Sequence, residues 1–171
     1  MKKIIAILLL VIGASTAEAQ IVRKDTRVLS ANLTTTAGAY AAGDVVGGLI
    51  TLTGAFPSSN REGNVVLIDV IDDAGTTTDY EFCSFSAAPA VIADNAAFAP
   101  SLTELKTKNP CIEAATSDRF VAGTKSSTSV AGLRSFVRSD TTKLYGYLID
   151  RTGRAGASTS DITLVIAIEI E

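Results

Sequence analysis

The chain has 171 residues, of which 47% are hydrophobic and 19% are charged, and its formal net charge is −3. This composition is that of a globular protein with a sizeable core, which excludes a disordered chain. The 15 basic residues are scattered among 18 acidic ones. The sequence therefore lacks the clustered positive charge of a nucleic-acid-binding protein, and we expect no nucleic-acid partner.

The N-terminus has the three regions of a secretory signal peptide. Two lysines precede an apolar run from Ile4 to Ile12, and a stretch of small residues follows as far as Ala19. The apolar run is shorter than the roughly 20 residues of a transmembrane helix. We expect a leader over residues 1–19, cleaved after Ala19, and a single β-rich domain over residues 20–171. An uncleaved anchor and a start codon placed too far upstream are the alternatives.

The chain has two cysteines, Cys83 and Cys111, and no histidine. Export would place the cysteines in an oxidising compartment, where they can form a disulfide. Two buried free thiols that pack as small apolar residues are the alternative. Two cysteines without histidine are too few for a zinc site. We predict no metal site and no cofactor.

Strand-like segments dominate the chain after the leader. The clearest is the C-terminal segment, in which alternate residues are large and apolar, namely Ile162, Leu164, Ile166, Ile168 and Ile170. A period of two with β-branched residues is typical of a half-buried strand. Similar segments recur along the chain between clusters of Gly, Asp, Asn, Ser and Pro. This pattern predicts an all-β fold, an antiparallel β-sandwich or barrel, with the apolar final strand central or paired with another chain.

One segment departs from the strand pattern and predicts a short helical insertion. Asp94 or Asn95 is a candidate N-cap, and Ser101 and Glu104 have the spacing of a capping box. We expect one or two helical turns that end before Pro110 and flank one end of the sheet pair.

The glycines of the stretch AYAAGDVVGG suggest a phosphate-binding loop, but the spacing is wrong and a strand-like segment follows where a helix is required. We instead predict a turn at Gly43-Asp44 and, at Gly47-Gly48, a β-bulge or a close backbone contact. A turn of this kind is a candidate contact loop with a partner. Its residues are Tyr40, Gly43, Asp44, Gly47 and Gly48.

The sequence contains few residues that could act in catalysis. Without histidine, the remaining enzymatic hypothesis is a hydrolase that uses two carboxylates, as glycosidases do. The candidate acids lie where a strand ends in a turn, and solvated acids are common there. They are Asp69, Asp72, Asp73 and Asp79, with Asp72 and Asp73 as the pair to test. We predict no catalytic residues and no small-molecule substrate.

Three elements occur in a characteristic order. The first is a Tyr-x-x-Gly-Asp-x-x-Gly element, the second pairs Phe85 with Pro89, and the third runs from Asp94 to Phe98, ahead of a long final strand. In this order they resemble a family of small tailed-phage proteins encoded among virion structural genes. The similarity covers most of the chain after about residue 25.

This resemblance implies a non-enzymatic virion protein that decorates or stabilises a phage head by binding capsid proteins and copies of itself. The leader supports an alternative of another class, an exported bacterial β-sandwich of the surface or periplasm, adhesin-like in function. The mean hydropathy of +0.32 predicts a homo-oligomer in either case, because monomers rarely expose large apolar patches.

Overall fold

A computed structural model of the chain describes residues 25–156, 159 and 161–170. The predicted leader and its cleavage site lie outside these residues. None of the helices within this part of the chain has the length and apolar character needed to cross a membrane.

The described residues form nine β-strands, one α-helix of four residues and one turn of 3-10 helix at Thr116–Asp118. The strands are β1 (Asp25–Leu33), β2 (Val45–Leu52), β3 (Glu62–Asp72), β4 (Tyr80–Phe85), β5 (Lys108–Ala114), β6 (Arg119–Ala122), β7 (Lys125–Arg138), β8 (Leu144–Asp150) and β9 (Ile162–Ile170), and the helix α1 is Leu102–Leu105.

The strands form two antiparallel sheets that share one core. The five-stranded sheet has the order β1-β9-β3-β7-β6, and the four-stranded sheet has the order β2-β8-β4-β5. Most of the buried apolar side chains lie in one cluster drawn from both sheets. The predicted all-β class is confirmed, and the architecture is a sandwich with one short helix.

The final strand is central, as predicted. β9 pairs with β1 on one side, from Asp25 opposite Ile170, and with β3 on the other, from Asp72 opposite Ile162. The alternating apolar side chains of β9 all point into the core and are buried. Their burial between two flanking strands fixes the register of the sheet, because a slip by one residue would turn the whole apolar row to solvent.

Strand β4 is covered on both faces. Tyr80 and Phe82 contribute to the core between the sheets, whereas Cys83 and Phe85 belong to a second apolar cluster on the outer face of the four-stranded sheet. Residues 86–101, which follow β4, supply Ile92 and Phe98 to that cluster. We call residues 86–101 the cover segment.

The two adjacent glycines of β2 form the predicted irregularity. Gly47 and Gly48 have φ angles of +78° and +71°, and the pairing of β2 with β8 shifts between Val46 and Ile50. A Cβ atom on Gly47 would lie 2.5 Å from Cβ of Leu33. The glycine pair thus allows the backbone of β2 to approach the end of β1 more closely than a residue with a side chain could.

Replacement of Gly47 by alanine tests this close contact. Gly47→Ala adds both left-handed backbone strain and the clash with Leu33, and we expect it to lower the free energy of unfolding by about 3 kcal/mol or more. Gly43→Ala is the matched control, since Gly43 also has a left-handed φ of +96° but nothing within 4 Å of an added Cβ. The control should cost about 1 kcal/mol. Equal losses in urea unfolding would contradict the steric explanation.

Candidate contact surface

The predicted contact loop is a turn held by hydrogen bonds within the chain. The backbone N–H of Gly43 donates to the carbonyl of Asp150 at 2.7 Å, and the carboxylate of Asp44 accepts from the N–H of Ala41 at 2.7 Å. Ala41 and Ala42 are exposed at the tip, whereas Gly43 and Asp44 are half-buried. The turn is therefore available to a partner mainly through its two alanines.

Tyr40 points into the protein and not toward a partner. Only 4% of its surface is exposed, and its hydroxyl donates to the carboxylate of Asp94 at 2.8 and 2.9 Å. Burial and this hydrogen bond raise the pKa of Tyr40 to about 12. The hydroxyl consequently remains a proton donor to Asp94 at every pH near neutrality.

Asp94 joins three separate segments of the chain. Besides Tyr40, its carboxylate accepts hydrogen bonds from the backbone and hydroxyl of Thr36 at 2.7 and 2.6 Å and from the N–H of Gly47 at 2.6 Å. Neither Asp94 nor Asn95 caps a helix, so that prediction is wrong. A short polar side chain before a helix-like stretch is typical of an N-cap, but here the carboxylate serves distant partners.

The cover segment is paired to the sheet edge and packed on its face. Backbone hydrogen bonds join Asn95 and Val45 at 2.8 Å and join Phe98 to Gly43 at 2.9 Å. The rings of Phe85, Phe98 and Tyr147 contact one another with centroids 5.8 to 6.5 Å apart. The segment thus lies over the outer face of the four-stranded sheet, and not at one end of the sheet pair as predicted.

The predicted capping box is present at α1. The Ser101 side chain accepts from the N–H of Glu104 at 3.3 Å, and the Glu104 carboxylate accepts from the N–H of Ser101 at 2.6 Å. The Glu104 carboxylate also accepts from the N–H of Ala90, which ties the helix to the cover segment. These hydrogen bonds from the Ser101 side chain, the Ser101 backbone and Ala90 lower the pKa of Glu104.

The cover segment and α1 together present apolar side chains to solvent. Leu102 is 81% exposed, Val91 is 78% exposed and Leu105 is 43% exposed. The hydrogen bond from Ala90 to Glu104 holds the residues next to Val91 and Leu105 together. This surface, which we call the cover surface, is apolar and belongs to an ordered part of the chain.

The two cysteines are direct neighbours on β4 and β5. Cys83 lies opposite Cys111, and the structure joins them in a disulfide that closes a loop of 28 residues. That loop contains the whole cover segment and α1, so the bond ties both ends of the cover to the sheet. Glu81 lies near both sulfurs and completes a group of three potential metal ligands, but bonded sulfurs offer no thiolates to a metal.

The four candidate acids do not form an open carboxylate pair. Asp72 is buried, and its carboxylate lies 3.6 Å from the guanidinium of Arg154, which also contacts Asp161 at 2.8 Å. Asp73 is exposed and paired with Lys125, and Asp69 accepts a hydrogen bond from Ser127. Asp79 lies directly before β4. The proposed pair of Asp72 and Asp73 is thus divided between the interior and the surface.

Arg154 is the centre of a buried polar cluster that the sequence did not indicate. Its guanidinium carbon lies 5.4 Å from the centre of the Tyr40 ring, and the hydroxyl of Tyr80 donates to Asp72 at 3.1 Å. Burial, reinforced by the charge of Asp72, raises the pKa of Tyr80. Arg154 comes from a loop rich in glycine and small residues, a context that predicts exposure, and only its long-range partners explain its burial.

No family model matches the chain, and no curated protein matches it. Among solved structures, the chain is similar to one titled "Desmodium yellow mottle tymovirus". The sequence identity is 14%, the similarity covers 99% of this chain and 94% of that chain, and the TM-score is 0.25. A likeness at that score is too weak to establish a shared fold.

Removal of the Asp94 carboxylate should detach the cover segment from the loop before β2. Asp94→Ala leaves the buried Tyr40 hydroxyl and the N–H of Gly47 without their acceptor, and we expect a loss of about 3 kcal/mol in unfolding free energy. Amide hydrogen exchange should accelerate at Val45 and Phe98. Asp73→Ala is the control, because it removes an exposed ion pair worth less than about 1 kcal/mol. Unchanged exchange at Phe98 would contradict the role of Asp94.

Removal of the buried cation should cost more than removal of an exposed one. Arg154→Met leaves the buried carboxylates of Asp72 and Asp161 without their counter-charge, and we expect a loss of about 3–5 kcal/mol. Arg151→Met is the matched control, since the Arg151 side chain is 53% exposed and lies 3.6 Å from Glu81. It should change stability by less than about 1 kcal/mol. Equal losses of unfolding free energy in the two variants, measured by urea titration, would contradict a stabilising role of the buried cluster.

Proposed function

We propose that this chain is a non-enzymatic structural component of a phage particle, which decorates or stabilises the head through contacts between subunits. The observation that carries the proposal is the position of its exposed large apolar side chains. They lie on the cover surface, on the outer strands β1 and β6, and on the rim of a groove beside β7. They are Val28, Val91, Leu102, Leu105, Phe120, Val121 and Phe136.

The exposed apolar residues of the cover surface and of β6 belong to elements that are bonded to the sheets. The cover surface is attached through the disulfide, Asp94 and the capping box of α1. Phe120, which is 70% exposed, lies on β6 at the edge of the five-stranded sheet. An ordered surface with apolar side chains binds a partner at little entropic cost, and this favours subunit contacts over a mobile loop.

The residues that carry the resemblance to phage virion proteins also contact one another. Tyr40 and Gly47 of the first element both donate to Asp94 of the third, and Gly43 accepts from the N–H of Phe98. The first and third elements of the motif are therefore joined by hydrogen bonds, although they lie far apart in the sequence. This supports a resemblance based on shared architecture, with the motif serving folding more than ligand binding.

The carboxylates give less support to a hydrolase. Hydrolysis by two acids requires both carboxylates to reach one substrate bond. Asp72 is 1% exposed and faces Arg154, whereas Asp73 pairs with Lys125 at the surface. A structural role does not require two carboxylates to reach one point, so we prefer a structural role to a hydrolase.

Mass spectrometry of purified extracellular particles and of the soluble fraction tests the proposal. We expect peptides of this chain in the particles at a fixed ratio to the major capsid protein, retained through density-gradient centrifugation. A particle-associated chain that dissociates on washing, or a chain found only in the soluble fraction, would contradict a structural role in the virion.

An exported β-sandwich of the bacterial surface or periplasm is the second candidate. The bonded Cys83 and Cys111 favour it, because disulfides persist in oxidising compartments. The same spectra separate the two candidates. A free soluble chain that begins at Gln20 and contains the disulfide would support export, whereas a particle-bound chain would support the virion role whatever the state of its cysteines.

A further inference from the structure

The two sulfurs of the disulfide differ in their access to solvent. Cys83 is 1% exposed and belongs to the apolar cluster to which the cover segment contributes. Cys111 is half-buried and lies on β5, the edge strand of the four-stranded sheet. Cys111 also lines a groove of about 490 Å³, together with its neighbours on β5 and residues 133–136 of β7, whereas Cys83 does not line it. A reagent in solution therefore reaches Cys111 more easily than Cys83.

A lysine contacts the more accessible sulfur. The side-chain nitrogen of Lys108 lies 3.2 Å from Sγ of Cys111. The carboxylate of Glu81 lies within 4.8 Å of both sulfurs, but it also pairs with Arg151 at 3.6 Å. A cation beside a cysteine stabilises the thiolate, which is the form that reacts, whereas apolar surroundings favour the thiol. In the reduced chain we therefore expect Cys111 to be the nucleophile and Cys83 to be the less reactive group.

The pairing of β4 with β5 holds the two cysteines in position for bond formation. Cys83 lies directly opposite Cys111 in the register, so the two side chains leave the sheet on the same face. Attack of one cysteine on the other is then an intramolecular step, which is fast because the two groups are already oriented. A small molecule that becomes bonded to Cys111 consequently lies within reach of Cys83.

We propose that Cys111 and Cys83 form a redox switch that holds the cover segment on its sheet after oxidation. The Cys111 thiolate first attacks a low-molecular-weight disulfide, which forms a mixed disulfide and releases one thiolate of the reagent. Cys83 then loses its proton and attacks the Cys111 sulfur, which releases the second thiolate of the reagent. The protein gives up two electrons, and the two protons of its cysteines end on the two thiols of the reduced reagent.

The same geometry slows the reopening of the bond. A reducing thiolate reaches Cys111 first, and the group that must then leave is Cys83, as an anion within an apolar cluster. Attack on Cys83 would release Cys111 beside Lys108, a better leaving group, but Cys83 is the inaccessible sulfur. A released Cys83 also recloses the bond, since it stays opposite Cys111. The switch therefore closes through its accessible side and reopens slowly.

Oxidation fixes the cover segment at both of its ends. The closed loop contains the cover segment and α1, and in its sheet β5 pairs with β4 alone. A crosslink of this kind stabilises mainly by restricting the conformations of the opened loop. A reducing cytoplasm keeps thiols free, whereas disulfides persist outside the cell. The switch would close as the chain leaves the cell, in a particle or by export, so the inference holds for both candidate functions and rests on neither.

Labelling of the reduced wild-type chain tests the order of reaction without any substitution. The chain is reduced with a phosphine, freed of it and exposed briefly to iodoacetamide, and the modified peptides are quantified by mass spectrometry. We expect Cys111 to be modified at least about tenfold faster than Cys83. Equal rates, or a faster reaction at Cys83, would overturn the proposal.

Single-cysteine variants test the first step with a disulfide as the reagent. Cys83→Ser retains the accessible sulfur and should accumulate a mixed disulfide with oxidised glutathione, because no second cysteine displaces the glutathione. Cys111→Ser retains only the buried sulfur and should form its mixed disulfide at least about tenfold more slowly. Comparable rates in the two variants would contradict the assigned order of attack.

Substitution of Lys108 tests whether its charge promotes the reaction. In the Cys83→Ser background, Lys108→Met should slow the formation of the mixed disulfide about threefold or more, and Lys108→Arg should retain the rate because it keeps the charge. Lys106→Met is the matched control, since Lys106 is exposed at the C-cap of α1, and it should leave the rate unchanged. The same rate in Lys108→Met and in this control would contradict the role of Lys108.

Amide hydrogen exchange tests the effect of the switch on the cover segment. The N–H groups of Asn95 and Phe98 donate to the carbonyls of Val45 and Gly43. We expect both amides to exchange at least about tenfold faster in the reduced chain than in the oxidised chain, because the opened loop is no longer restricted. Unchanged exchange at Asn95 and Phe98 would overturn the switch, even if Cys111 is the first cysteine to react.

Discussion

The carboxylate of Asp94 holds together the parts of this protein that would otherwise separate. It accepts hydrogen bonds from the segment after β1, from the buried Tyr40 and from the bulge of β2. The cover segment can then lie on the four-stranded sheet and shield the rings of Phe85 and Tyr147. Together with the disulfide and the backbone bonds to Val45 and Gly43, this anchor keeps the apolar outer face of the sheet covered.

The outer face of the four-stranded sheet is covered, whereas the edges of the five-stranded sheet are partly exposed. The cover protects one outer face, while the edges at β1 and β6 and the groove beside β7 carry exposed apolar groups. Natural sheets usually protect such edges with charges, proline or a covering loop. The partly open edges agree with the subunit contacts proposed above.

The local features of the fold could be predicted from the sequence because their signals lie within a few residues. The isoleucine row of β9, the glycine bulge of β2 and the capping box of Ser101 and Glu104 each need only neighbouring positions. β5 could not be predicted in this way, since Pro110 interrupts a short strand that is stabilised by pairing with β4. β6, of four residues, was too short to give a pattern.

The junctions could not be predicted because their partners are far apart in the sequence. Asp94 and Tyr40 are 54 residues apart, and the loop residue Arg154 contacts Asp72 from 82 positions away in the sequence. A single sequence gives no signal that pairs such positions, and local preferences for Asp94 pointed to an N-cap instead. The resemblance places Tyr40 and Gly47 in one element and Asp94 in another, and it gives no sign that they contact one another.

Cryo-electron microscopy of purified particles tests the central claim most directly, because a structural virion protein must occupy defined positions on the capsid. The account predicts density for this sandwich at symmetry-related sites, with the cover surface or the sheet edges buried against neighbouring subunits. A complete map of the particle, in which all protein density is assigned to other chains, would contradict it.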